Sequence, residues 1–360
     1  MLISACLIVK NEEALLPKTL PNLIAGLDEV IVLDTGSSDK TPEIARQLGA
    51  KVFDFAWISD FAAARNESLK KAQGDWILWV DADEYFKLED IEKLKAALRQ
   101  TGPEIAYLLK IAECKEGQFE AISFNYRPKV FRNHLGIHFE RPINEQPFSS
   151  EGQLLTDQAK PLEVTLFHWG GHLSREKFLK KKERNIELLS KMAAREPLDV
   201  GYRLLLGMNY QDLKQYDKAI PQYRELLKLD QSSRFALAAR GELAWALWQT
   251  KQVQEAFNEA ISALKLDEDY PVALNVVGAA LFMTGKDEQA EKALLAAAQY
   301  QPKSSHLIVN LRQKEYIANL FLSALYLKQG QKEKARQAAE KAVKFDPTEE
   351  ALAALKKTAI

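Results

Sequence analysis

Four segments of the C-terminal half of the chain repeat one another. An alanine inside a polar, helix-like pattern recurs at spacings of 37, 34 and 45 residues, at Ala219, Ala256, Ala290 and Ala335. Twelve positions before each alanine a small residue follows an apolar one, at Gly207, Ala244, Gly278 and Ser323. A repeat of this length is typical of stacked helical units, because one unit alone cannot bury its apolar face. The sequence therefore predicts an all-helical array over residues 197–360.

The repeating unit resembles the tetratricopeptide repeat, a helix–turn–helix of 34 residues with small residues where its two helices touch. We expect about four repeats. The spacing of 45 residues predicts an insertion or an extended helix near residues 304–314. An irregular helical bundle is the alternative.

The first 165 residues follow another pattern, in which short apolar runs alternate with helical stretches. The runs cover residues 3–9, 29–33, 51–55 and 75–80, and helices are expected at 41–48, 61–72 and 88–99. The runs are too continuous for strands exposed on one face and fit parallel strands buried on both faces. Pro17 and Pro21 would interrupt a long helix in the first connection. The alternation predicts an α/β fold with a Rossmann-like, doubly wound open sheet.

The length of 360 residues favours two domains. We expect the α/β domain over residues 1–172, a linking helix over 173–196 and the helical domain over 197–360. The balance of 49 Lys and Arg against 50 Asp and Glu argues against a nucleic-acid-binding protein. Cys6 and Cys114 are the two cysteines, which excludes a disulfide scaffold and argues against a zinc module.

No apolar run approaches the roughly 18–20 residues of a membrane-spanning helix. Residues 2–9 lack the basic flank of a signal peptide, so we expect a cytoplasmic protein. A basic run over residues 175–184 is compatible with peripheral contact to a membrane surface, although such runs are more often the solvated face of a helix.

The polar residues that follow the strands are the candidates for a ligand site, because open parallel sheets bind ligands beyond the carboxyl ends of their strands. Neither G-x-G-x-x-G nor G-x-x-x-x-G-K-[ST] follows a strand, so nicotinamide, flavin and P-loop sites are not expected. Asp81 and Asp83 directly follow the run at 75–80. Two carboxylates this close favour a cation, and their oxygens suit Mg²⁺ or Mn²⁺ together with a substrate diphosphate.

Several blocks in the same order carry a more specific resemblance. They are LIVKNEE (7–13), VIVLDTGSSDKT (30–41), ARNESLKKAQGDWILWVDADE (64–84), FERPINEQ (139–146) and FHWGG (167–171). These blocks are similar to glycosyltransferase family 2, whose members have the nucleotide-sugar-binding GT-A fold. Within the family the chain most resembles bacterial enzymes similar to lipopolysaccharide-core β-glucosyltransferases and peptide-glycosylating members, some of which carry tetratricopeptide repeats.

The resemblance implies two sets of binding residues. Those expected to bind the nucleotide sugar are Val9, Asn11, Glu12, Asp34, Arg65, Asp81 and Asp83. Those expected to hold the metal are Asp81, Asp83 and His168. Asp34 would accept a hydrogen bond from the uracil ring, and Arg65 would meet the diphosphate or the sugar. Simpler alternatives are an ion pair of Arg65 with Glu67 or a neighbouring helix, and a core histidine at 168.

The implied reaction is an inverting transfer of a sugar, with glucose as one candidate, from a UDP-sugar to a glycan, a lipid-linked molecule or a peptide. Glu145 is the candidate general base, with Glu140 in reserve. The chain has Asn144 where the family often has histidine, and Trp169, Gly170 and Gly171 where it often has Tyr-Gly-Tyr. The repeats would bind the acceptor or a protein partner. The alternatives are a nucleotidyl or phosphoryl transferase, and a repeat interaction protein with a degenerate nucleotide-sugar domain.

Overall fold

The computed structural model describes residues 1–100, 102–169, 175–301 and 309–358. The chain divides into two compact units, Met1–Leu173 and Ser174–Ile360. No helix among the described ranges is both long enough and apolar enough to cross a membrane.

The first unit is built on a mixed β-sheet. Its strands are β1 Ile3–Val9, β2 Glu29–Asp34, β3 Lys51–Asp54, β4 Trp76–Asp81, β5 Glu84–Phe86, β6 Ala106–Glu113, β7 Ser123–Arg132 and β10 Lys160–His168, with a separate ribbon of β8 His138–Glu140 and β9 Gln146–Phe148. The strand order in the sheet is 3-2-1-4-7-6-10-5. The four predicted strands β1 to β4 are parallel, whereas β7 runs antiparallel to β4 and β6, and β5 antiparallel to β10.

One of the four predicted strands is not buried on both faces. β3 lies at the edge of the sheet, and its terminal residues Lys51 and Asp54 are exposed. The prediction that all four strands are buried on both faces was therefore wrong for β3. An edge strand borders solvent, and exposed charged residues on it discourage pairing with another chain.

Helices cover both faces of this sheet. They are α1 Leu16–Gly26, α2 Thr41–Gln47, α3 Phe61–Leu69 and α4 Leu88–Arg99, with a 3₁₀ turn at Leu155–Asp157. The side chains of α1 and α4 pack on one face with the odd-numbered residues of β1, and α3 packs on the other face with Cys6 and Trp79.

The first connection contains a helix despite its two prolines. Pro17 lies in the first turn of α1, where its missing N–H removes no bond, and Pro21 lies inside the helix. The interior proline costs a hydrogen bond, but Leu16, Leu20 and Leu23 are fully buried and hold the helix on the sheet. Tertiary packing thus outweighs the local preference against a helix.

The second unit is helical. Its helices are α5 Arg175–Arg195, α6 Val200–Asp212, α7 Tyr216–Leu229, α8 Arg234–Gln249, α9 Val253–Leu264, α10 Pro271–Met283, α11 Asp287–Gln299, α12 Ala318–Lys328, α13 Lys332–Phe345 and α14 Glu349–Thr358. The four repeated alanines are fully buried, in α7, α9, α11 and α13. Their partners twelve positions earlier lie in α6, α8, α10 and α12, so each predicted repeat is one antiparallel pair of helices.

The small residues of the repeat lie where two helices approach closely. A Cβ atom added at Gly207 would lie 2.5 Å from the Tyr223 ring, and one at Gly278 would lie 2.6 Å from Leu294 Cγ. The predicted insertion falls partly on residues 304–308, outside the described residues. Its described part contains a short strand, β11 Val309–Asn310, and a π-helical turn at Gln313–Ile317.

Candidate active site

The carboxyl ends of β1, β2 and β4 meet at one edge of the sheet, as parallel strands require. In the strand register Val9 lies beside Asp34, and Ile8 lies beside Asp81. The carbonyl of Val9 accepts hydrogen bonds from both the N–H and the hydroxyl of Thr35, each at 2.9 Å. The predicted nucleotide-binding residues of these strands are therefore neighbours in space.

Hydrogen bonds join the loop after β1 to the loop after β2. Asn11, whose φ is +57°, donates its N–H to Ser37 Oγ at 2.9 Å and accepts the Ser38 N–H at 2.7 Å through Oδ1. The Glu12 N–H donates to Thr41 Oγ1 at 2.7 Å. Asn11 is exposed and Glu12 is half-buried, so both side chains border solvent at this edge.

Asp34 is buried, and its carboxylate is hydrogen-bonded to the loop that follows it. It accepts hydrogen bonds from the N–H groups of Gly36 (3.2 Å) and Ser37 (3.0 Å) and from Ser37 Oγ (2.5 Å). The side chain thus shapes the β2 loop, and the recognition of uracil by the same carboxylate stays a prediction.

Arg65 joins two of the predicted functional carboxylates. Its Nη2 donates to Asp81 Oδ1 at 2.5 Å and its Nε donates to Glu145 Oε1 at 2.7 Å. The guanidinium is buried and stacks 4.4 Å from the centre of the Trp79 ring. Glu67, the alternative partner, pairs instead with two neighbouring lysines. Arg65 therefore holds the end of β4 and the FERPINEQ loop in a fixed relation.

A second buried cation lies beneath the same aspartate. Lys129, which is fully buried, places Nζ 2.8 Å from Glu84 Oε2, 3.5 Å from Asp81 Oδ2 and 3.4 Å from the centre of the Trp79 ring. Burial would raise the pKa of Asp81, but Arg65 and Lys129 outweigh it and lower that pKa far below its ordinary value. Burial raises the pKa of Glu84, with Asp81 adding to the shift and Lys129 opposing it.

His168 at the end of β10 lies between two carboxylates. Its Nδ1 donates to Glu113 Oε2 at 2.5 Å, and its Nε2 lies 3.1 Å from Asp83 Oδ2. Burial alone would lower the pKa of His168, but Asp83 and Glu113 outweigh it and raise that pKa well above 6.5. The space between these carboxylates therefore favours a positive charge.

Asp83 and His168 form an ion pair, and the same two atoms are close enough to share a divalent cation in place of the proton. Two ligands at right angles around Mg²⁺, each about 2.1 Å from the ion, are about 3 Å apart, close to the 3.1 Å between Asp83 Oδ2 and His168 Nε2. Glu113 at Nδ1 would fix the tautomer whose Nε2 lone pair is free for a metal. Asp81 faces Arg65 and Lys129 instead. Within the described ranges no group of three or more His, Cys, Asp or Glu could hold a metal ion, so Asp81, Asp83 and His168 as metal ligands all stay predictions.

Three residues of this network, Lys129, Glu84 and Glu113, were assigned no role from the sequence. Lys129 carried a weak signal, because a lysine between apolar residues of a buried strand requires an acidic partner. Glu140, the reserve base, is exposed and lies 3.0 Å from His138 Nε2. Gly170 and Gly171 lie outside the described residues.

Comparison with known proteins identifies the two regions separately. Residues 4–156 match glycosyl transferase family 2, and residues 204–271 and 317–349 match tetratricopeptide repeats. The chain is 43% identical over 144 residues to a TPR repeat-containing protein of Synechococcus elongatus, a match that covers 40% of this chain and 34% of that protein.

Two relatives named as glycosyltransferases match as well. The prophage-derived glycosyltransferase SunS of Bacillus subtilis is 25% identical over 220 residues, covering 61% of this chain and 51% of the relative. An uncharacterized glycosyltransferase of Rickettsia typhi is 36% identical over 153 residues, covering 41% of this chain and 52% of the relative. The chain thus spans between a third and about half of the length of these relatives.

The family 2 match covers the strands of the first unit that end in carboxylates, and the repeat matches cover paired helices of the second unit. Residues 4–156 form a glycosyl transferase family 2 domain, and the helical unit that follows carries tetratricopeptide repeats.

Proposed function

We propose that this protein is a cytoplasmic, metal-dependent, inverting glycosyltransferase that uses a UDP-sugar as its donor. The observation that carries the proposal is the grouping of acidic residues around the end of β4 in the family 2 domain: Arg65 joins Asp81 to Glu145, and Asp83 pairs with His168, which follows the matched residues in the chain. The relatives named as glycosyltransferases support the reaction class.

Asp83 and His168 would hold a Mg²⁺ or Mn²⁺ ion beside the donor diphosphate, with Asp81 close by. Such an ion stabilises the negative charge that develops on a leaving diphosphate. The nucleoside would lie over the hydrogen-bonded loops after β1 and β2, next to Val9, Asn11 and the Asp34 loop. Arg65 would then act mainly by fixing Asp81, since two of its N–H groups already donate to carboxylates.

Glu145 would take the proton of the acceptor hydroxyl as general base. Its side chain is 12% exposed and bonded to Arg65 through one oxygen, Oε1, so Oε2 is the oxygen that would face the acceptor. A single displacement at the anomeric carbon, with the base on the side opposite the leaving group, inverts its configuration.

The acceptor would bind to the repeat unit. A cavity of about 690 Å³ there is lined by five aromatic side chains, Tyr216, Trp245, Trp248, Tyr316 and Phe321. Arg312 and Lys357 add positive charge to its wall and Glu350 adds negative charge. An aromatic cavity with a few charged groups is typical of a specific binding site, and we propose it as the place where a peptide, glycan or lipid-linked acceptor or a protein partner is held.

Calorimetric titration with UDP tests the donor site. Wild-type protein should bind UDP more tightly with Mn²⁺ than without it, and Asp83→Ala should abolish this difference with an unchanged or slightly lowered melting temperature, because the variant also loses the ion pair with His168. Glu151→Ala, at an exposed loop position of the same unit, is the matched control. Undiminished UDP affinity in Asp83→Ala would refute the metal site. Wild-type protein without any UDP binding would favour the degenerate-domain alternative.

Transfer of a labelled sugar to a panel of glycan, lipid and peptide acceptors tests the repeat cavity. Trp248 packs edge-to-face on Phe321, with ring centres 6.0 Å apart, so Trp248→Ala opens the wall of the cavity. We expect a raised KM for the acceptor and unchanged UDP affinity. Leu229→Ala, at an exposed position of α7, is the control. An unchanged acceptor KM in Trp248→Ala would place the acceptor elsewhere.

A further inference from the structure

The segment that carries Glu145 has little structural support of its own. β8 and β9 form a two-stranded ribbon of three residues each, and residues 141–145 connect them. A two-stranded ribbon of this size is at best marginally stable alone. Two of the connecting residues, Arg141 and Asn144, have φ values of +76° and +54°, which side chains other than glycine adopt at a cost. Contacts from outside the ribbon must therefore hold the connection in this shape.

Three hydrogen-bonding contacts of this kind come from one helix, α3. The Phe61 N–H at its start donates to the Pro142 carbonyl at 2.9 Å. Arg65, one turn later, binds Glu145 itself at 2.7 Å. The next residue, Asn66, donates its Nδ2 to the Phe139 carbonyl at 2.8 Å and accepts the Phe139 N–H at 2.7 Å through Oδ1.

Asn66 makes the most specific of these contacts. A carboxamide offers one donor and one acceptor side by side, so it satisfies both backbone groups of a single residue, as a neighbouring strand would. Phe139 is a suitable anchor, because its ring is buried against Trp79 and Phe131 at centre distances of 5.3 and 6.2 Å. With the ring fixed in the core and the backbone fixed by Asn66, the ribbon has one position relative to α3.

We infer that Asn66 is a positioning residue for Glu145, acting through the backbone of Phe139. This inference rests on the proposed role of Glu145 as the base. Because Arg65 on the same helix also binds Asp81, α3 would set the distance between the base and the donor side of the site. A displacement of about 1 Å at a reacting group costs on the order of 100-fold in rate.

The test compares Asn66→Asp, which keeps the size and the acceptor but loses the donor, with Asn66→Ala. Asn133 provides a matched control, because its side chain likewise binds backbone but donates to the Gly74 carbonyl, at 2.9 Å, rather than to the ribbon. The assay is release of UDP from whichever UDP-sugar of a panel the wild-type protein hydrolyses fastest. Hydrogen exchange of peptides covering residues 138–148 is measured in parallel.

We expect Asn66→Asp and Asn66→Ala to lower kcat about 100-fold, with UDP affinity and donor KM changed less than about threefold, and to speed exchange in the ribbon. Asn133→Ala should leave kcat and ribbon exchange unchanged. An unchanged kcat, unchanged ribbon exchange, or an equal loss of UDP affinity would overturn the inference. Glu145→Gln separates the two proposals: if it keeps full activity, Glu145 is not the base, whereas faster exchange in Asn66→Asp would still demonstrate the backbone contact.

Discussion

Substitution of Lys129 by methionine tests the buried charge network beneath the site. Lys129→Met removes the cation 2.8 Å from Glu84 while filling much of the same space beside the Trp79 ring. Asp81 keeps Arg65, but Glu84, which is 2% exposed, loses its cation. An uncompensated buried carboxylate is strongly destabilising, so Glu84 will bind a proton instead.

The free energy needed to keep Glu84 protonated in the native state determines how far Lys129→Met destabilises the protein. Glu84 in the unfolded chain has an ordinary pKa of 4.5, and holding it protonated in the native state costs about 1.4 kcal/mol for each pH unit above that value. Because the pKa of Glu84 is already raised in the wild-type protein, destabilisation of the first unit should be at most about 3 kcal/mol at pH 7 and below about 1 kcal/mol at pH 5. The sign follows because a native pKa raised above the unfolded value makes stability fall as pH rises.

This loss of stability is measured by urea unfolding of the full chain, monitored through hydrogen exchange of peptides from β4 and β7. Peptides from α8 and α9 serve as an internal reference. The double variant Lys129→Met/Glu84→Gln should recover most of the stability at pH 7, because a neutral amide needs no cation and can still accept the Asp81 N–H. Equal destabilisation at pH 5 and pH 7, or no recovery in the double variant, would refute the reasoning.

Three further predictions concern single residues. Asp34→Asn should weaken UDP binding by about 1–3 kcal/mol and reduce the preference for UDP over CDP in calorimetry, and equal affinity of the wild-type protein for both nucleotides would contradict the role of Asp34. Gly207→Ala should destabilise the repeat unit in urea by about 1 kcal/mol. An added Cβ would lie 2.5 Å from the Tyr223 ring, and this clash costs more than the gain in helix propensity of about 1 kcal/mol. A stabilised variant would refute the prediction. Burial raises the pKa of Glu242 to about 7, so the native carboxyl keeps its proton to a higher pH than the unfolded one does. The free energy of unfolding of the repeat unit should therefore fall by at most about 3 kcal/mol between pH 4.5 and 7. Glu242→Gln should remove this pH dependence.

Local patterns in the sequence were sufficient for three of the strands whose ends form the site. Apolar runs predicted β1, β2 and β4, and the parallel arrangement then required Asp34 and Asp81 to meet at one edge, as they do. The period of the repeats predicted four helix pairs, because each small residue must face a neighbouring helix of its own unit. Family resemblance added Arg65, Glu145 and His168 as candidates, but it did not predict which of them touch.

Tertiary structure alone decided the pairing of charges. Arg65 binds Asp81, which is 16 residues away, and Glu145, which is 80 residues away, and Lys129 binds Glu84 across 45 residues. Nothing in the periodicity of a strand or helix specifies such partners, because a salt bridge depends on where two chain segments meet in three dimensions. The same reason explains α1, whose interior Pro21 is tolerated through leucines packed on a sheet that the local sequence does not contain.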